Sequence, residues 1–302
     1  MLSEVFYWLL SMSASASIAG IVILFLGRIR KIPYRMINVL WGIPFLRMWI
    51  PIAVNSKYSI LALLSGIGTK TVVVYQGTVN FSMANFSRAA NACFPIIYKT
   101  NLLKDVFQIA AVIWIVIAAL LLIIIFIAYA HTKSELKSTR HLRDNIYLSD
   151  QIASPMTYGF VREKIYMPKR YESSDMKYIL MHEGAHIKRK DNLRRIAGIV
   201  TACVHWFNPL SWFFLKRFFE SLEFACDEAV LKQCGEEGRK DYAAALLDCA
   251  ESRSFCASSF GGAKVRLRIE RILSYERLSA FSVAGLIVLA VTIAYVLLTN
   301  AK

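Results

Sequence analysis

The sequence predicts a mainly helical membrane protein with one soluble module inserted between its third and fourth spans. Hydrophobic residues fill 56% of the 302 positions, more than is usual in soluble domains. Four apolar stretches have the length expected of helices that cross a bilayer. The region between the third and the fourth, 131–278, instead holds 25 Lys and Arg beside 19 Asp and Glu, as a soluble domain would.

The first span is 5–27, which contains no charged residue. A basic cluster follows it directly, made of Arg28, Arg30, Lys31 and Arg35. Because positively charged loops stay in the cytoplasm, this cluster predicts an N-terminus outside the cell.

The second span, 36–54, is weaker because Pro44, Arg47 and Pro51 interrupt it. An arginine within a membrane usually faces other helices and finds a partner there. The next segment, 55–105, is mildly polar and predicted to be external, without an assigned role.

The third span, 106–130, is the strongest in the chain. Its 25 residues at about 1.5 Å each exceed a hydrocarbon core of roughly 30 Å. The fourth span is 280–299. The chain therefore divides into a membrane region (1–130), a cytosolic domain (131–278) and a last span with a short external tail (279–302).

Net charge and cysteine usage exclude two other classes of function. The net charge of +15 suits cytoplasmic loops of a membrane protein, and no helix-turn-helix or aromatic-interleaved basic motif predicts direct nucleic-acid binding. The six cysteines form no CxxC pair, so a cysteine-based zinc site is not predicted.

The hexapeptide MHEGAH at 181–186 carries the main chemical signal. His182 and His186 are four positions apart, so both imidazoles lie on one face of a helix and can bind one zinc ion. Glu183 then lies beside the open coordination position, where it can act as general base towards a bound water. An alternative is a helix surface that carries this pattern by chance.

A catalytic zinc needs a third ligand, which the stretch 218–235 can supply. It reads as an amphipathic helix closed by Gly235, with Glu223 and Asp227 again four positions apart. We predict Glu223 as the ligand and Asp227 as the acceptor that orients a ligand histidine. From spacing alone, Glu220, Glu228 or His205 remain alternatives, although His205 lies in an apolar run that favours a packed histidine.

The connecting segment 196–215 is apolar enough to resemble a fifth span. If it crossed the bilayer, Glu223 and His182 would lie on opposite sides. Asn208-Pro209 provides a break, so we predict a helical hairpin, buried or dipping into the membrane, that returns to the same side.

Four stretches together resemble the BlaR/MecR family of membrane-embedded zinc metallopeptidases. They are SPMTYGFVREKIYMP at 154–168, MHEGAHIKRKDN at 181–192, HWFNPL at 205–210 and ESLEFACDEAVL at 220–231. The family's third zinc ligand is the glutamate of an ExxCD run, which matches Glu223, Cys226 and Asp227. The resemblance implies a cytosolic gluzincin-like α+β protease domain with one catalytic Zn²⁺.

The resemblance also implies partners and a signal. The expected substrate is a winged-helix repressor of the BlaI/MecI type, cleaved after an external signal such as β-lactam stress. The expected further partners are the bilayer, a second copy in a homodimer and a separate sensor protein. Family members continue into a penicillin-binding domain, whereas this sequence ends at Lys302 and has no external SxxK motif. Two alternatives stay open: a fragment of a longer protein, or a relative without its own sensor that takes its signal from another protein.

Self-cleavage is a family trait for which the sequence offers one candidate position. The stretch 252–268 is rich in small residues, and we offer Ser259-Phe260 as the bond cut. A plain linker is the alternative, because nothing in the spacing selects one peptide bond.

The strand Ile165-Tyr166-Met167 is predicted to lie at a sheet edge and hold a peptide by strand addition, with an ordinary half-buried strand as the alternative. Two other functions compete with the repressor protease. One is a processing or quality-control protease of the HtpX/CaaX type. The other is a signalling scaffold whose zinc only holds the fold, which the presence of Glu183 disfavours.

Overall fold

The computed structural model describes residues 2–29, 32–50, 55–56, 101–159, 162–172, 176–251, 260–274, 280–298 and 300–301. These form two compact units. The first comprises 1–122, 198–218 and 278–302, and the second comprises 123–197 and 219–277.

The first unit is helical. Its elements are α1 (Leu2–Leu26), α2 (Tyr34–Leu40), α3 (Gly42–Trp49), the first part of α4 (Asn101–Glu135) and α10 (Ala280–Leu298). The two-residue strands β1 (Asn55–Ser56) and β6 (Asn300–Ala301) pair in parallel. Its aromatic core joins α1 and α4 through the buried side chains of Phe6, Tyr7, Phe107 and Trp114.

Two described helices are long and apolar enough to cross a membrane, namely Leu2–Leu26 and the Val106–Glu135 part of α4. They match the predicted first and third spans. The α4 stretch exposes most of its apolar side chains, as a lipid-facing helix does. α10 coincides with the predicted fourth span.

The predicted second span is not one helix. The structure breaks it into α2 and α3, with Trp41 between them. The backbone of Trp41 is itself right-handed helical (φ −59°, ψ −21°), so the interruption is local. The span over 36–54 stays a prediction. Arg47 is buried in α3, as its predicted inward orientation requires.

The apolar segment 196–215 forms the predicted hairpin. α6 (Asp191–Val204) ends and α7 (Pro209–Cys234) begins across a short break. Asn208 stabilises this break, because its side-chain oxygen accepts from the Leu210 N–H while its Nδ2 donates to Ser13 and Ser17 of α1. Proline at the first position of α7 needs no N–H partner there.

The second unit contains a four-stranded mixed sheet with the order β2-β3-β5-β4. Its strands are β2 (Arg140–Arg143), β3 (Ile146–Ser149), β4 (Met156–Tyr158) and β5 (Lys164–Pro168). β5 pairs in parallel with β3 and antiparallel with β4. The predicted edge strand 165–167 is therefore interior, and β4 lies at the edge of the described sheet.

Helices complete the described part of the second unit around the sheet. They are α5 (Lys177–Arg189), α8 (Arg239–Glu251), α9 (Phe260–Leu273), the C-terminal parts of α4 and α7, and the first turns of α6. A short 3-10 helix (Lys169–Tyr171) leaves β5. One core lies between the sheet and α5 and includes Leu148, Met167 and Ile179. A second joins α7, α8 and α9.

Candidate metal centre

The histidines of the HExxH motif lie together on one face of α5. Both side chains are buried, and the two Nε2 atoms are 3.2 Å apart. α5 ends cleanly after them, because Lys190 adopts a left-handed conformation (φ 54°) and its N–H bonds back to the carbonyls of His186 and Ile187.

Asp191 fixes the orientation of His186. It follows Lys190 at the start of α6, its side chain is fully buried, and its Oδ2 lies 2.8 Å from His186 Nδ1. Nδ1 therefore carries the proton and Nε2 keeps a free lone pair. Burial opposes charging of His186, but the Asp191 hydrogen bond and the carboxylates of Glu223 and Glu183 outweigh it and raise its pKa.

Tyr242 and Asp227 orient the second histidine. The Tyr242 hydroxyl donates to Asp227 Oδ1 at 2.6 Å and lies 2.8 Å from His182 Nδ1, which can then donate to it. The direct separation between His182 Nδ1 and Asp227 Oδ1 is 3.4 Å. Asp227 thus acts on His182 chiefly through Tyr242, and Nε2 of His182 also keeps its lone pair.

Glu223 of α7 faces both free nitrogens. Its Oε2 lies 3.6 Å from His182 Nε2, and its Oε1 lies 3.7 Å from His186 Nε2. Burial alone would raise the pKa of Glu223. The neighbouring His182 imidazole and the charges of His186 and Arg268 hold that pKa well below its usual range, so Glu223 is a carboxylate.

Two arginines bind the carboxylates of this cluster. Arg268 of α9 forms a bidentate pair with Asp227, at 2.8 Å from Nε to Oδ2 and 2.7 Å from Nη2 to Oδ1. Its Nη1 lies 3.4 Å from Glu223 Oε2, and its Nη2 lies 3.4 Å from His182 Nε2. Arg195 of α6 donates to the other oxygen of Glu223.

The donor set fits a zinc ion. Two atoms bound tetrahedrally at 2.0–2.1 Å from one ion lie roughly 3.3 Å apart, which is close to the separations between the Nε2 atoms and the Glu223 oxygens.

Cys226 is the other neighbour of the histidines that can bind a metal, since its sulfur belongs to a close group with them. Its thiol donates to the His182 carbonyl at 3.2 Å. Burial, then the charges of Glu223 and Asp227, raise its pKa well above the usual range, so the sulfur stays protonated. Glu223 therefore has the better-disposed donor atoms.

The catalytic candidate Glu183 follows His182 on α5. Its side chain is 8% exposed, and among the described residues it has no hydrogen bond or ion pair. A buried carboxyl group that lacks hydrogen bonds costs free energy, so this residue is available to bind a water.

The remaining predicted site residues lie elsewhere. His205 is fully buried in the first unit, at the hairpin break, whereas the histidine cluster belongs to the second. Glu220 and Glu228 lie on α7, three positions before and five positions after Glu223. Phe260 is the first residue of α9, and Ser259 lies outside the described residues, so the candidate cleavage bond stays a prediction.

Four polar residues of this cluster were not predicted from the sequence, namely Asp191, Arg195, Tyr242 and Arg268. Asp191 had a local signal, because an aspartate that starts a helix directly after a zinc-type motif can reach back to it. The others come from separate helices and had no fixed spacing to mark them.

Comparison with known proteins places the chain in a family. The sequence pattern of the BlaR1 peptidase M56 family matches residues 6–272. Regulatory protein BlaR1 of Bacillus licheniformis is 32% identical over 141 residues, covering 43% of this chain and 24% of that protein. Regulatory protein BlaR1 of Staphylococcus aureus is 25% identical over 189 residues, which cover 53% of this chain and 32% of that protein.

The methicillin resistance mecR1 protein of Staphylococcus aureus is 27% identical over 113 residues, which cover 36% of this chain and 19% of that protein. The matched stretches thus span a third or less of the length of these relatives. The family match covers most of the present chain and includes every residue of the cluster described above. The chain belongs to the BlaR1 peptidase M56 family, a family of membrane metallopeptidases of signal transduction.

Proposed function

We propose that the chain is an integral-membrane zinc endopeptidase that cleaves a cytosolic repressor of the BlaI/MecI type, and also itself, after an external signal. The observation that carries the proposal is the convergence of three donor groups beside a glutamate without a partner. His182, His186 and Glu223 would hold the zinc ion, and Glu183 would be the catalytic residue. When bound, zinc supplies a Lewis acid that polarises the scissile carbonyl.

The chain's own residues account for the proton transfers. The carboxylate of Glu183 would take a proton from the attacking water and pass it to the leaving amine nitrogen. Asp191 and the Tyr242–Asp227 pair hold the two histidines with Nε2 free for the metal. Arg195 and Arg268 keep Glu223 ionised, which a ligand must be.

The substrate peptide would bind along β4 rather than β5. Support comes from the position of β4 at the sheet edge and from its approach to α5. Asn192, just after Asp191, donates to the Gly159 carbonyl at the end of β4. An extended peptide added to this edge would run beside the histidines and gain main-chain hydrogen bonds.

Membrane orientation follows from the same proposal. The basic cluster after α1 and the charged second unit would face the cytosol, with both termini outside. Support for the repressor as substrate is the resemblance of the four quoted stretches to antirepressor transducers. The external signal would come from β-lactam stress or a separate sensor protein.

The test uses the full chain in lipid nanodiscs, loaded with zinc, together with a purified BlaI/MecI-type repressor. Fragments of both proteins are identified by mass spectrometry. We expect Glu183→Gln to bind zinc at the same stoichiometry and yield no repressor fragment. Glu220→Gln on α7 is the matched control and should cleave as the wild type does. Identical fragments from wild type and Glu183→Gln would refute the protease assignment.

A further inference from the structure

We propose that a cleft on the reverse face of α5 binds an acidic, partly aliphatic peptide segment of a partner protein. This α5 cleft has a volume of about 570 Å³. It is lined by the basic residues Arg143, Lys177 and Lys188 and by the apolar residues Met176, Leu180 and Met181, with Gly184 in its wall. The inference goes beyond the proposed proteolysis and does not depend on it.

The α5 cleft and the histidine cluster lie on opposite faces of one helix. At 100° per residue, Lys177, Met181, Gly184 and Lys188 share a stripe roughly 150° away from His182 and His186. An occupant of the cleft would therefore sit about one helix diameter, on the order of 10 Å, from the metal ligands. It would leave them free.

The charged side chains that line the α5 cleft, among the residues that the structure describes, are all basic. Arg143 and Lys188 are exposed, and neither forms an ion pair with any residue that the structure describes. Lys177 lies over the ring of Tyr178, 5.2 Å from its centre. The positive potential of these three side chains favours an anionic partner.

Gly184 supplies an independent observation. Glycine inside a helix costs about 1 kcal/mol relative to alanine, so it usually has a packing reason. Here a Cβ atom would meet nothing within 4 Å, so the packing of the described residues does not require glycine. Any larger side chain would project into the cleft. The glycine keeps that space open.

The shape of the site selects a peptide over a lipid surface. A bilayer is flat, so its headgroups contact cations that project from a protein surface. Here the site is concave, and its partly buried apolar side chains lie among exposed basic ones. Aliphatic side chains of a peptide can cover Met176, Leu180 and Met181, while its carboxylates reach the basic rim. Met-rich floors suit partners of varied shape.

Direct binding tests this assignment with the full chain in nanodiscs of neutral lipid. All variants carry Glu183→Gln, so that the result is independent of proteolysis. The probe is a fluorescein-labelled peptide of alternating glutamate and leucine, and its control has glutamine for glutamate. Fluorescence anisotropy should show binding of the glutamate peptide alone, weakened by added salt as Debye screening requires.

Charge reversal with Arg143→Glu and Lys188→Glu should lower the affinity about tenfold or more, since attraction becomes repulsion at two sites. Lys137→Glu with Lys240→Glu, two exposed cations outside the cleft, is the matched control and should bind normally. Gly184→Leu should weaken binding without a lower melting temperature. If it does not fold, Gly184→Ala provides the smaller obstruction.

Three outcomes would overturn the proposal. The first is equal affinity for the glutamate and glutamine peptides. The second is wild-type binding by the charge-reversed variant. The third is loss of binding to phosphatidylglycerol vesicles in that variant while its peptide binding is unchanged, which would assign the basic rim to a lipid surface.

Discussion

Asp191 lies 2.8 Å from Nδ1 of His186, and its carboxylate is completely buried. An orienting carboxylate of this kind fixes both the rotation of the ring and the position of its proton. The neutral His186 ring therefore carries its proton on Nδ1, which leaves Nε2 as the nitrogen that can bind a cation.

We expect Asp191→Asn to lower zinc affinity about tenfold to a hundredfold, the usual effect of removing such a partner. Competition with a fluorescent zinc chelator measures the affinity. Asp150→Asn, in an exposed pair with Lys169, is the control. An unchanged affinity in Asp191→Asn would show that the hydrogen bond only serves packing.

Tyr242→Phe should also weaken zinc binding, by about tenfold, because the hydroxyl links His182 to Asp227. The ring stays, so the core of α7, α8 and α9 is preserved. Tyr178→Phe removes a neighbouring hydroxyl that bonds to Asp241 and should leave zinc affinity unchanged. Equal affinities in the two variants would contradict the relay through Tyr242.

The choice between Glu223 and Cys226 as third ligand can be tested by substitution of each. Glu223→Gln removes the carboxylate that faces both Nε2 atoms, so zinc should no longer raise the melting temperature of the protein. Cys226→Ala removes a protonated thiol and should retain the zinc-induced rise, which is worth about 2.7 kcal/mol at a hundredfold excess over Kd. The reverse result would make Cys226 the ligand.

Arg268→Ala should lower the free energy of unfolding by about 3–5 kcal/mol, because it leaves the buried carboxylate of Asp227 without its bidentate partner. Urea unfolding followed by tryptophan fluorescence measures this. Arg266→Ala removes an exposed pair with Glu270 on the same helix, so it should change stability by less than about 1 kcal/mol. Similar decreases in the free energy of unfolding of the two variants would contradict this role of Arg268.

Gly184→Ala should stabilise the second unit by about 1 kcal/mol, because alanine has the higher helix propensity and its methyl group meets no atom. The midpoint of urea unfolding should rise accordingly. A lower midpoint would indicate an unfavourable contact that the open space beside Gly184 does not predict.

Local periodicity predicted part of the site. The i, i+4 pattern placed His182 beside His186. The helix-breaking pair Asn208-Pro209 predicted the hairpin, which the structure confirms. Local pattern did not identify β5 as an interior strand, because the short apolar run Ile165-Tyr166-Met167 is compatible with either position. The edge is set by β4, whose pairing depends on the tertiary fold.

Composition likewise could not locate the break at Trp41. Residues 36–54 are apolar overall. Mean hydropathy is taken over a window of residues, so it does not show the position at which α2 ends and α3 begins. The roles of Arg268 and Tyr242 could not be predicted for a related reason. Each reaches the histidine cluster from a helix distant in sequence, so no motif links them to it.

The left-handed residue Lys190 has a consequence for the order in which the site folds. Lys190 alone separates α5 from α6, so the chain reverses there and Asp191 contacts His186, five positions before it. This half of the site can therefore form locally. The other half must join His182 to Tyr242 and Arg268, which are 60 and 86 positions away. Closing those long loops costs entropy and comes late in folding. Tight zinc binding would then be observed only after α9, which carries Arg268, has packed against the rest of the second unit.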